Sequence, residues 1–191
     1  MTTSLGTFPA RRRVALFAML LVAVVAAVML VASSPAQADP LPQGTFQIGI
    51  VSWDGYCVSR VGIVDLGQIR AVANGCDPAD PTQRFNYNPQ TQQIVAQTDP
   101  PTCLAERKLL DAFLVEYQPC IPDYPDNRLQ RFQRNGPNSS GQYVITATAV
   151  LNTGFPFCMM DQGGTLQTGP CLSSDPRRVS PTLLFTFIPL V

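Results

Sequence analysis

The sequence predicts an all-β fold: a closed barrel made of three copies of one unit, each stapled by its own disulfide. Three observations lead there. Six cysteines fall into three pairs, and after each pair comes a phenylalanine in a β-prone run: Cys57 and Cys76 before Gln83-Arg84-Phe85, Cys103 and Cys120 before Gln130-Arg131-Phe132, Cys158 and Cys171 before Leu183-Leu184-Phe185. The period is regular, with first cysteines 46 and 55 residues apart, second cysteines 44 and 51, and the phenylalanines 47 and 53. A fixed period outranks any single motif as evidence of architecture. Finally, proline and glycine recur too often beyond residue 39 for a helical period to survive, and the runs between them are short and β-rich.

Along the chain, Arg11-Arg12-Arg13 precede nineteen uncharged residues, Val14 to Ala32, and then Ser33-Ser34-Pro35-Ala36-Gln37-Ala38. A basic flank, an apolar run and an Ala-x-Ala ending predict a secretory signal over residues 1–38, cleaved before Asp39. A retained anchor is the competing reading, since about 18 apolar residues already span a bilayer. The arginines also admit twin-arginine export, although six cysteines suit a chain exported before it is oxidised. The mature chain, Asp39 to Val191, has 153 residues, the size of one domain. Thirteen basic residues less the three in the signal leave ten against thirteen acidic ones, a net charge of −3. No basic tract remains to neutralise a phosphate backbone, so nucleic acid is excluded as a partner. After signal cleavage no membrane contact is expected, and the predicted location is extracellular.

The three units are expected at about 44–97, 98–149 and 150–191. Strand candidates in order are Thr45 to Val51, Val61 to Val64, Ile69 to Val72, Phe85 to Tyr87, Gln93 to Ala96, Phe113 to Tyr117, Arg131 to Gln133, Tyr143 to Thr148 and Leu183 to Ile188. Asp65-Leu66-Gly67, Asn88-Pro89-Gln90-Thr91 and Asn135-Gly136-Pro137 are the turns between neighbours. About four strands per unit close a threefold barrel, and closure removes the edges a small exported β domain must otherwise protect.

An even cysteine count in an exported chain reads as disulfides rather than metal ligands or reactive thiols. Spacing alone leaves fifteen pairings. Self-contained repeats select neighbours: Cys57 with Cys76, Cys103 with Cys120, Cys158 with Cys171. With no histidine, no Cys-x-x-Cys and cysteines spread over 115 residues, no metal site is expected.

These motifs resemble the ricin B-type lectin β-trefoil family, whose repeat runs Cys-Leu-Asp, a second cysteine, Gln-x-Trp and an apolar strand. Cys103-Leu104-Ala105, Cys120, Gln130-Arg131-Phe132 and Tyr143-Val144-Ile145 follow that order, and so do Cys57-Val58-Ser59, Cys76, Gln83-Arg84-Phe85 and Gln93-Ile94-Val95. Cys158-Met159-Met160, Cys171 and Leu184-Phe185 follow it without the glutamine. The resemblance covers essentially the whole mature chain and implies a carbohydrate-binding β-trefoil without catalysis or cofactor, facing glycans or cell-surface polysaccharide. In the family, the aspartate two residues after the first cysteine accepts hydrogen bonds from sugar hydroxyls. Here those positions hold Ser59, Ala105 and Met160, so the sugar sites are read as degenerate. Asp161, one residue late and followed by Gln162-Gly163-Gly164, is the substitute carboxylate if the turn there is shifted. Trp53 and Tyr56 are candidate platforms for a pyranose face, with Tyr87 and Tyr117 as alternatives. The glutamines of Gln83-x-Phe85 and Gln130-x-Phe132 are assigned to backbone hydrogen bonds, and the phenylalanines to the core.

Catalysis is disfavoured. The absence of histidine removes Ser-His-Asp and Cys-His chemistry. A glycosidase would need two converging carboxylates, and the only glutamates are Glu106 and Glu116. Asp77, Asp80, Asp123 and Asp126 read as turn residues beside prolines. Two other functions remain open. One is an extracellular protease inhibitor using a basic loop side chain (Arg60, Lys108 or Arg177-Arg178), with the irregular stretch Asp111 to Tyr124 as a contact. The other is a sugar-blind extracellular structural module.

Overall fold

A computed structural model of the chain describes residues 43–65, 68–109, 112–122, 126–148 and 157–190. The expected signal over 1–38, Asp111, Asp123 to Pro125 and residues 149–156 lie outside the described residues. Twelve strands form one sheet, and no α-helix is present among the described residues. In order they are β1 (Phe46–Ile50), β2 (Tyr56–Asp65), β3 (Gln68–Gly75), β4 (Phe85–Asn88), β5 (Gln93–Ala96), β6 (Thr102–Leu109), β7 (Ala112–Pro119), β8 (Phe132–Asn135), β9 (Val144–Ala147), β10 (Phe157–Gln162), β11 (Thr165–Pro170) and β12 (Phe185–Pro189). The sequence reading did not single out β6, β10 or β11. It also had no counterpart for the three 3₁₀ turns at Pro81–Gln83, Asp126–Gln130 and Pro181–Leu183, one before the last strand of each unit.

Six strands form the barrel wall: β1, β4, β5, β8, β9 and β12. They pair as β12–β1, β1–β4, β4–β5 and β8–β9. The isolated bridges Gln93↔Arg131 and Tyr143↔Phe185 complete the ring. The remaining strands are hairpins, β2–β3, β6–β7 and β10–β11, and these pair with one another through β3–β7, β7–β11 and β3–β11. Grouped as β1–β4, β5–β8 and β9–β12, the strands make three units of two wall strands and one hairpin each, and the three hairpins close one end.

Phe85, Phe132 and Phe185 open the last strand of their units and are fully buried, together with Phe46, Ile48, Ile94, Leu104, Ile145, Met159 and Leu166. The cysteines pair within units, Cys57–Cys76, Cys103–Cys120 and Cys158–Cys171.

The glutamines hold the units to their staples. Gln83 Nε2 donates to the Gly75 carbonyl at 2.8 Å, and its Oε1 accepts from the Asp77 amide at 2.8 Å, so it brackets Cys76. Gln130 brackets Cys120 in the same way, donating to the Pro119 carbonyl at 2.8 Å and accepting from the Ile121 amide at 2.9 Å. Each also accepts a bond from a buried glutamine in the first strand of its unit, Gln47 at 3.1 Å and Gln93 at 2.7 Å. In the third unit both partners are apolar. Val144 stands in the place of Gln47 and Gln93, Leu183 in that of Gln83 and Gln130, and both join an apolar cluster around Cys158 and Cys171. Changing both members together leaves no buried polar group stranded.

Candidate functional site

The β1–β2 loop is two successive turns, with the Trp53 amide donating to the Ile50 carbonyl and the Tyr56 amide to the Trp53 carbonyl. Gly55 sits at φ +76°, third in the second turn, where only glycine rests without strain. The turn sets its end residues side by side. Trp53 and Tyr56 lie edge to face with ring centroids 5.3 Å apart, and 40 % and 39 % of their surfaces remain exposed.

Asp161 anchors this loop from the third unit. Its Oδ2 accepts from Ser52 Oγ at 2.9 Å and its Oδ1 from the Gly164 amide at 2.8 Å, so both oxygens are engaged inside the protein. The residue is buried. The cause is register: β10 and β11 pair without a break from Phe157↔Pro170 to Gln162↔Thr165, so the shift that would turn Asp161 outward does not occur. Successive strand residues face opposite sides, and Asp161 shares the inward face of Met159 opposite buried Leu166. Asp161 thus stands next to the aromatic pair but as its support. Gln162 is exposed at the hairpin tip, its amide 3.7 Å from Met160 Sδ.

The three positions that hold aspartate in the resembled family offer no acceptor carboxylate. Ser59 is buried against Thr82 Oγ1 at 3.2 Å, Ala105 is buried, and Met160 lies over Gly169. Among the alternative platforms, Tyr117 is buried with its hydroxyl donating to the Thr82 carbonyl at 2.9 Å, and Tyr87 packs against the core.

Glu106 and Glu116 are both buried on the β6–β7 hairpin. Register puts Glu106 opposite Val115 and Glu116 opposite Ala105, so they project from opposite faces and do not converge. Glu116 lies 3.6 Å from Arg107, whereas neither Glu106 oxygen has a hydrogen bond among the described residues. Burial holds the Glu106 carboxyl up at about 7, and nearby Thr168 offsets this only in part, its hydroxyl making no bond of ordinary geometry. Asp77 and Asp80 are turn residues as expected, accepting from the amides of Ala79 and Thr82. Arg60 and Lys108 lie on strands rather than in loops. Arg177 and Arg178 are loop residues with exposed side chains, held beside Asp175.

The sequence reading missed a groove beside Tyr56. It has a volume of about 560 Å³ and runs along the seam between β1 and β12, bounded by the β1–β2 loop and by Gln142 in the β8–β9 turn. Its lining brings together residues more than 130 positions apart, and no local pattern announces it.

No protein-family model and no curated protein matches the sequence. Solved structures do. The Vibrio vulnificus hemolysin/cytolysin β-trefoil lectin, solved with N-acetyl-D-lactosamine bound, is 11 % identical with a TM-score of 0.54, over 77 % of this chain and 96 % of that one. The designed threefold-symmetric protein ThreeFoil is 10 % identical with a TM-score of 0.56, over 78 % of this chain and all of its own. The fold is a β-trefoil. The hemolytic lectin CEL-III shares it as well, at 17 % identity and a TM-score of 0.53, over 80 % of this chain but only 33 % of CEL-III. This trefoil therefore has the architecture of lectin domains along most of its length, while at such identities the sugar contacts must be argued from its own residues.

Proposed function

We propose that this trefoil is an exported carbohydrate-recognition module without catalytic activity, and that it contacts sugar through Trp53 and Tyr56. The observation that carries the reading is the aromatic pair itself: two large rings half exposed on a tight turn fastened by the partly buried Ser52–Asp161 bond. An exposed ring covers the apolar face of a pyranose, and a fastened loop loses little freedom on binding. The sugar bound by the Vibrio trefoil lectin supports the same class of ligand. Export is supported by the apolar leader over 1–38 and by three disulfides, which persist in oxidising compartments. The mature module runs from Asp39.

The inhibitor reading is less well served. Arg177 must leave its carboxylate to enter a protease pocket, and Asp175 grips it with two bonds of 2.9 Å. A glycan array together with trypsin and subtilisin inhibition assays on the mature protein separates the two. Glycan binding weakened in Trp53→Ala, and to a smaller degree in Asp161→Ala through the loosened loop, is the expected outcome. Silence on the array with nanomolar inhibition would replace the lectin reading with the inhibitor; silence in both assays leaves the sugar-blind structural module.

A further inference from the structure

Resting on that reading, we infer that the groove between β1, β12 and the β8–β9 turn is a binding site for a neutral saccharide and selects against anionic ones. Its volume, about 560 Å³, falls within the ~300–1,000 Å³ of small-molecule sites. The lining has the mixed character that sugars need. Tyr56 supplies a half-exposed ring and Ile188 an exposed apolar side chain for the C–H face. Asp54, Gln142 and Thr186 supply an acceptor, an amide and a hydroxyl for the polar rim.

These polar groups are available. The side chains of Asp54 and Thr186 make no hydrogen bond among the described residues. Gln142 accepts from Asn138 Nδ2 at 2.8 Å through its Oε1, which fixes the amide and leaves its N–H donors for a ligand. Gly49 lies across the strand pair from Thr186 on the groove floor. A Cβ there would collide with Thr186 Oγ1 and press on Ile188 Cδ1 at 3.3 Å, so glycine keeps the floor open and the hydroxyl in place.

Charge decides the class of sugar. Asp54 is the one ionisable carboxylate in the lining, and no lysine or arginine accompanies it. A carboxylate accepts strongly from neutral hydroxyls but repels a uronate, sialate or sulfate brought into the same groove. The site lies along the β1–β12 seam, and its lining includes none of Ser59, Ala105 and Met160, the positions where the resembled family keeps its aspartates.

The protein carries its own probe. Trp53 is the single tryptophan, and its ring lies 5.3 Å from that of Tyr56. A ligand seated on Tyr56 therefore perturbs Trp53 emission. The experiment titrates the mature protein with neutral chitotriose and N-acetyllactosamine, and with sialylated N-acetyllactosamine, reading tryptophan fluorescence and calorimetry together. Thermal melting verifies that each variant is folded. The expected result is binding of a neutral sugar, weakened about tenfold or more in Tyr56→Ala and severalfold in Gln142→Ala and Thr186→Val. The sialylated form should bind at least tenfold more weakly, and Asp54→Asn should narrow that gap. Neutral-sugar affinity unchanged in folded Tyr56→Ala, Gln142→Ala and Thr186→Val, yet lost in Trp53→Ala, would overturn the groove while leaving the module a lectin. Equal affinity for the sialylated sugar would overturn the charge selection, and binding of no saccharide overturns both readings.

Discussion

Glu106 sits in an environment at odds with its chemistry. Its carboxyl is buried in the β6–β7 hairpin without a hydrogen bond, and burial holds it up at about 7 against an ordinary 4.5. An acid whose folded-state pKa exceeds its unfolded value holds its proton more tightly when folded. The stability it contributes is then complete below about pH 4.5, declines as pH rises towards about 7, and is lost above that. The gap corresponds to roughly 3 kcal/mol. Glu106→Gln should therefore raise the melting temperature at pH 8, leave it nearly unchanged at pH 4.5, and flatten the profile between. A difference from the native protein that is the same at pH 5 and pH 8 would mean that Glu106 is not held neutral. The sequence marks Glu106 only as one of two glutamates. Asp161 shows the same limit from the other side: its position one residue after the expected place was legible, but its inward face depends on an unbroken β10–β11 register.

Within the elements, the glutamine pairs tie each wall strand to the segment around the second cysteine. Gln83→Leu alone removes the partner of buried Gln47 and frees the Gly75 carbonyl and Asp77 amide. Because the last two are exposed to water, the cost falls on Gln47, about 1–3 kcal/mol. The double change Gln47→Val with Gln83→Leu copies Val144 and Leu183 of the third unit and should recover much of that loss in urea denaturation. Additive costs would show that the two side chains are not coupled. The backbone role of Gln83 and Gln130 was readable from the Gln-x-Phe pattern, since an inward phenylalanine leaves the glutamine beside its own strand end. The second glutamine of each pair was not, because Gln47 precedes Gln83 by 36 residues and Gln93 precedes Gln130 by 37, with no motif joining them.

At the scale of the molecule, three staples support one shared core. Replacing Cys103 and Cys120 by serine should cost about 2–5 kcal/mol and lower the melting temperature of the whole trefoil in one transition, because Phe85, Phe132 and Phe185 belong to a single cluster. Separate transitions for separate units, followed by calorimetry, would contradict that. The threefold plan, the disulfide pairing and the buried phenylalanines were determined by the sequence itself. They repeat at a regular period, and each disulfide is closed within its own unit while the phenylalanines meet in one shared core. The anchoring of the Trp53–Tyr56 loop and the groove beside it are decided by tertiary structure. The Ser52–Asp161 bond spans 109 residues, and the groove joins Gly49 to Tyr56 with Gln142, Thr186 and Ile188. The groove exists because barrel closure lays β12 beside β1, and the bond forms where the β10–β11 hairpin meets the first unit through β3; no local pattern encodes either pairing.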